Sequence, residues 1–323
     1  PPRSTPSNSS AASDVYKRQG IGFGNALDTQ VGYLDAANSG TGSVEIENTG
    51  GLVLMDLNHD GFSLLNEGGD IGIWARQGDL EAWNQVESYQ GNVGVYADND
   101  VILDSAVSGG EGANIVIYAD ANDDGTGSIT QVSGRLGDLR IGDQHLVLKA
   151  AEGIEVPCTY VSSLNAYNST SGDIHVVNRG GDLEIEDRLL GTGWGVENLE
   201  GNVRLENERS IIFTGESKGV FSIGDVHLLA GMAIEEMGDT TAVEGKELVM
   251  EAEEGIGVYR SLLTRVEALE AYNNREGDIK VLNEGALLLQ DIDPDLGEAG
   301  VAVSNAGGGV YILSLIHISE PTR

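Results

Sequence analysis

A single cysteine, Cys158, stands in a chain of 323 residues. One thiol excludes an intrachain disulfide framework and any metal or iron–sulfur centre built from several cysteines. With Val156 and Val161 beside it, Cys158 is expected to act as a small buried hydrophobe. Basic residues are scarce as well: 18 Lys and Arg face 52 Asp and Glu, for a formal net charge of −34. Such a field repels phosphate backbones and anionic lipid, so neither nucleic acid nor membrane is an expected partner. No apolar run approaches the ~20 residues of a membrane helix, which argues against membrane insertion. His59, His145, His175 and His227 are dispersed, with no pair at helical or metal-binding spacing.

The two ends differ from the rest. Residues 1–19, PPRSTPSNSSAASDVYKRQ, and 313–323, LSLIHISEPTR, resemble translated sequencing adapter. The expected native part is therefore 20–312, an internal fragment of a longer reading frame. It holds all 46 glycines, about twice the usual frequency.

What the chain does have is a repeat. LDAANSGTGSVEIENTGGLVLMD, from Leu34, recurs as LNAYNSTSGDIHVVNRGGDLEIED from Leu164 and as LEAYNNREGDIKVLNEGALLLQD from Leu269. The shared skeleton is Leu-x-Ala-x-Asn, then Gly-(Asp/Ser)-(Ile/Val)-x-(Val/Ile)-x-Asn, then a Leu-rich strand ending in Asp56, Asp187 or Asp291. Apolar residues alternate between the turns, as in Val44 and Ile46, Ile71 and Ile73, Ile174 and Val176, and Ile279 and Val281. Period two over short runs means strands with one buried face, and Gly, Asn and Asp between them mean sharp turns.

The interval from Asn38 to Asn168 exceeds that from Asn168 to Asn273 by roughly 25 residues, which suggests one whole coil gained or lost. The expected architecture is all-β: a parallel β-helix (β-solenoid) of roughly 20–25-residue coils, with about twelve to fourteen coils in a rod of roughly 60 Å. The three long units fall at about 20–152, 153–254 and 255–312. SLLTRVEALEAY, from Ser261, carries strong helix formers, but its alignment with Thr159–Tyr167 predicts strand.

Few residues carry recognisable chemistry. Asp56-Leu-Asn58-His-Asp60-Gly61 followed by Glu67 matches the ligand spacing of a calcium loop, so Asp56, Asn58, Asp60 and Glu67 are the metal candidates. The alignment also places Phe62 to Leu65 on a strand, and this leaves only a looser calcium contact at the turn. Gly215-Glu-Ser217-Lys-Gly219 has the spelling of a nucleophile elbow, but VFSIGDVHLL after it alternates like a strand where a helix is required. No catalytic residue is predicted. Trp74, Trp83, Trp194 and the ten tyrosines would make a sugar-stacking surface only if they lined one face; packing at coil edges is the simpler expectation.

The pattern G-D-I-x-V-x-N-x-G-x-L-x-L, repeated between Gly and Asn turns over nearly all of 20–312, resembles the large secreted bacterial adhesins related to filamentous haemagglutinin, exported as two-partner or autotransporter passengers. The resemblance implies a right-handed β-helix stalk without catalysis, an extracellular or bacterial cell-surface location, and partners on a host or neighbouring cell, glycan or protein. A carbohydrate-active β-helix enzyme of the lyase or hydrolase type, and a surface-layer or biofilm scaffold, are the alternative readings.

Overall fold

The computed structural model describes residues 20–22, 25–138, 143–297 and 300–315. The adapter-like segment 1–19, and 316–323 of the other, lie outside the described residues. Every assigned element is a strand, and every strand pairing is parallel, in one sheet of 16 strands and another of 18. The chain is a parallel β-helix. The two sheets, called here wall A and wall B, face each other across one apolar core that runs through all coils. Thirteen strands follow one another along the main path of wall A, which at ~4.8 Å per step gives a rod of roughly 60 Å. SLLTRVEALEAY forms Leu262–Arg265 and Ala268–Asn273, both strands. Its buried positions continue columns set by neighbouring coils, and this packing overrides helix propensity.

The alternation in sequence maps directly onto the core. Ile46, Ile73, Val95, Ile117, Leu148 and Ala166 form one inward column of wall A. Val176, Leu205, Leu228, Met250 and Ala271 form one of wall B. Coils are less uniform than expected: one coil carries His145 to its partner Ser163, whereas a much longer one carries Ile115 to Leu146. The walls fix the spacing between coils and the turns absorb the difference in length.

Within a coil, one wall is a straight strand and the other is bent into two short ones. From Val44–Thr49 to His145–Ala150, wall A is straight and wall B is split into pairs such as Leu80–Ala82 with Gln85–Ser88. At Ile154–Tyr160 the two short columns of wall B merge, since this strand pairs with both Ile129–Gln131 and Leu136–Gly137. The ladder then splits on the other side: Ser163–Asn168 of wall A carries Leu183–Ile185 and Trp194–Asn198. The bend changes walls again at the third repeat, where Ala268–Asn273 of wall B carries Leu288–Leu289 and Val303–Asn305. The first repeat has the same form, with Leu52–Leu54 and Phe62–Asn66 on the rung made by Tyr33–Leu34 and Ala36–Asn38.

The repeat is therefore a switch unit. Five register steps along wall A followed by a half coil lead from Val44–Thr49 to Ile174–Asn178 on wall B. Four steps along wall B and another half coil lead to Ile279–Glu284 on wall A. The units stand five and a half and four and a half coils apart, so the difference is one whole coil and the bend alternates sides. Removing one more whole coil, residues 71–92, should leave the fold intact, because Ile71 and Val93 occupy the same register position. Circular dichroism and a cooperative melt would check this, with deletion of half that length as the disruptive control.

Cys158 departs from expectation. It is partly exposed, because the merging strand bulges between Val156 and Thr159 and turns the thiol off the inward face. The Gln131 side chain replaces the missing ladder partner, accepting from the Cys158 amide at 2.9 Å and donating to its carbonyl at 3.0 Å.

Val310–Leu315 pairs with Ile279–Glu284, so the last wall A strand continues past 312 to Leu315. Tyr311 and Leu313 on it are exposed.

Candidate functional site

Among the described residues, each switch unit carries an insertion loop that breaks the solenoid's regularity, and all three loops are held by the same polar positions. At the corner of the straight strand, Asn48, Asn178 and Asn283 are fully buried. Each carboxamide oxygen accepts from a threonine hydroxyl one coil back (Thr29 at 2.9 Å, Thr159 at 2.8 Å, Thr264 at 2.9 Å) and from a valine amide (Val31 at 2.9 Å, Val161 at 3.0 Å, Val266 at 2.9 Å). Each Nδ2 donates back to that valine's carbonyl. The Asn of Leu-x-Ala-x-Asn stacks on a second Asn in the next coil: Asn38 on Asn66 at 2.8 Å, Asn168 on Asn198 at 3.0 Å, and Asn273 on Asn305 at 2.9 Å. These are two-rung stacks, which Ser88 and Ser222 continue in the first two units.

The unnamed position in Leu-x-Ala holds the loop itself. Asp35 accepts from the amides of Leu57 and Asn58, Asn165 from those of Arg188 and Leu189, and Glu270 from those of Ile292 and Asp293. Burial lifts the Asp35 carboxyl above its usual range, against the opposing pull of those two amides. The motif reading passed over this position, although all three copies place a hydrogen-bond acceptor there between inward-facing residues.

The calcium candidates sit in the first of these loops. Asp56 accepts from the amides of His59, Asp60 and Gly61, Asn58 from that of Asp60, and Asp60 from that of Phe62. Asp187 holds the second loop in the same way, through Gly191 and Gly193. As the alignment anticipated, strand Phe62–Asn66 begins where a twelve-residue ligand loop would continue, and it carries Glu67 on the order of 15 Å away. Among the described residues no group of three or more His, Cys, Asp or Glu is placed to hold a metal ion. Asp56, Asn58 and Asp60 instead saturate the turn's own donors. Asp120-Ala-Asn122-Asp-Asp124-Gly125 has the same spelling and the same turn, with Gly125 N on Asp120 at 3.1 Å and Asn122 Nδ2 on Asp124 at 2.9 Å. Asp56→Ala should lower stability by about 1–2 kcal/mol, equally in calcium and in chelator, as thermal melts would show.

Ser217 of the elbow-like pentapeptide lies in a turn between Ile211–Phe213 and Lys218–Ser222, and its hydroxyl accepts from the Asp187 amide at 2.8 Å. A strand follows where a hydrolase needs a helix.

The aromatic residues divide into separate places. Trp74, Tyr96 and Tyr118 share one outward column of wall A: Trp74 and Tyr96 stack at 5.0 Å with 6° between planes, and Tyr118 meets Tyr96 edge-on at 5.4 Å. The rings fold over Gly72 and Gly94, where a β-carbon would lie 2.6 Å from ring atoms. Trp74 and Tyr96 thus each use a ring face in coil-to-coil packing, so that face cannot stack on a sugar. Trp83 lies on wall B and donates to Glu81, and Trp194 lies beneath Lys218 in another part of wall A.

Histidines align as well. His175, Arg204 and His227 occupy successive rungs of one outward column of wall B. His175 contacts Glu155 at 2.8 Å and Glu206 at 3.5 Å.

Comparison with known protein families, curated proteins and solved structures gives no match.

Proposed function

We propose that this chain is a structural and adhesive stalk segment of a large secreted or surface-exposed bacterial protein, without catalysis. The observation that carries the reading is the switch unit. Wherever the bend changes sides, two successive straight strands, such as Ile154–Tyr160 and Ser163–Asn168, keep the core column unbroken. A rod that tolerates whole coils gained or lost, yet keeps its core continuous, serves as a spacer. The three insertion loops give it projections on alternating sides. The repeat style, close to that of filamentous haemagglutinin-related passengers, agrees with this role.

The acidic surface disfavours nucleic acid and anionic lipid as partners. Beads coated with the purified chain should bind whole cells or immobilised surface glycan and protein, and small-angle scattering should give a rod of roughly 60 Å. Unsaturated products or new reducing ends on incubation with acidic polysaccharides would replace this reading with the enzymatic one.

A further inference from the structure

His227 lies on the outer face of Val226–Ala230, between Arg204 and Val249 in the column that ends at Glu270. The third insertion loop folds back over this column. Glu270, 0% exposed, anchors it by accepting from the amides of Ile292 at 2.6 Å and Asp293 at 2.7 Å. The side chain of the same Asp293 reaches the histidine: its Oδ2 stands 3.8 Å from His227 Nδ1. That nitrogen is shielded from solvent and has no hydrogen-bond partner, and the same is true of Glu270 Oε1.

A neutral imidazole tolerates this arrangement, because Nδ1 can be the bare nitrogen of the tautomer that carries its proton on Nε2. An imidazolium does not. Both its nitrogens carry protons that need acceptors, and the Asp293 carboxylate, at 3.8 Å, is beyond hydrogen-bond reach. Protonation therefore demands either that Asp293 move or that water enter, and both disturb the loop.

We propose that His227 is an acid-operated release for segment 291–295: when neutral it packs beneath the segment, and when protonated it drives the segment off wall B into solvent. The charged groups that face the ring are Arg204 from Val203–Asn207, Asp225 immediately before its own strand, Glu270 from Ala268–Asn273 and Asp293 from the segment. Burial first, and Arg204 second, hold the imidazole below its ordinary value of 6.5, against Asp293, Asp225 and Glu270. A histidine depressed while the segment is docked, and restored once it lifts, favours docking above pH 6.5 and opposes it as the pH falls. The release stands apart from the stalk reading and holds whatever the rod carries.

Hydrogen exchange on the full chain tests it. Between pH 7.5 and 5.0, after correction for intrinsic rates, the amides of Ile292 and Asp293 should lose protection about tenfold for each pH unit by which docking depresses the histidine. His227→Phe, which fills the same space and never titrates, should keep that protection at pH 5.0. Asp293→Asn, which removes a favourable carboxylate, should deepen the loss. Unchanged protection in the wild type overturns the proposal. So does an equal acid loss in His227→Phe, because the acid response would then not come from the imidazole. Should His227→Phe fail to fold, His227→Gln carries the same expectation.

Discussion

Asn178→Ala is expected to cost about 3–5 kcal/mol of stability. Its carboxamide makes four hydrogen bonds in a site with no solvent access: it accepts from Thr159 Oγ1 and the Val161 amide, and donates to the Val161 carbonyl at 3.2 Å and Asn207 Oδ1 at 3.0 Å. Alanine leaves the Val161 amide and carbonyl and Asn207 Oδ1 without this partner, while Thr159 Oγ1 keeps the Val177 carbonyl at 3.3 Å. Each buried orphan costs roughly 1–3 kcal/mol, and relaxation recovers part of the sum. The site is also where two short columns become one, so the loss falls on the rung that couples the halves of the rod. Urea denaturation of the variant should show a lower midpoint, and Asn92→Ala, at an exposed rung, should change stability by less than about 1 kcal/mol. A cost below about 1 kcal/mol for Asn178→Ala would mean that the switch unit is held by apolar stacking alone.

Glu236→Gln should remove a pH dependence worth on the order of 3 kcal/mol. Glu236 occupies an inward column below Ile185 and Phe213, is 1% exposed, and leaves Oε2 without a partner while Oε1 accepts from the Gly238 amide at 3.0 Å. Burial is the main cause that pushes its pKa from 4.5 to about 7, against the Gly238 amide and Arg260. A carboxyl raised on folding contributes stability that is complete below pH 4.5 and is lost as the pH rises through 7. Wild type should therefore weaken between pH 5 and 8.5, whereas the glutamine variant should not. The difference between their melting temperatures should widen by several degrees over that range. Parallel melting curves at both pH values would place the carboxyl in contact with water. Asp120, Glu184, Glu197 and Glu235 are raised by burial in the same direction, so the background also favours mild acid.

Sequence alone determined the local rules. Period-two alternation selects which residues face the core, since successive side chains of a strand point to opposite sides, and Ile46, Val176 and Val281 are buried as that rule requires. The thrice-repeated skeleton marked equivalent places, and the discrepancy between its two spacings marked one coil. The acceptor in Leu-x-Ala could have been read too, because Asp35, Asn165 and Glu270 place a side-chain oxygen at the same position, between two inward-facing residues, in all three copies.

Only the tertiary structure decided what those places are. Coil length varies widely, short from His145 to Ser163 and long from Ile115 to Leu146, so distance along the sequence does not count coils. The half-coil offset that moves the bend between walls appears only when the strands are registered. The same limit explains Cys158, turned outward by a bulge that pairing with two columns imposes. It also explains why His227 meets Asp293, remote in sequence, through a loop that folds back over finished coils. Alternation is a property of neighbours along the chain, which the sequence states outright. Stacking is a property of neighbours across coils, and it depends on every turn length in between.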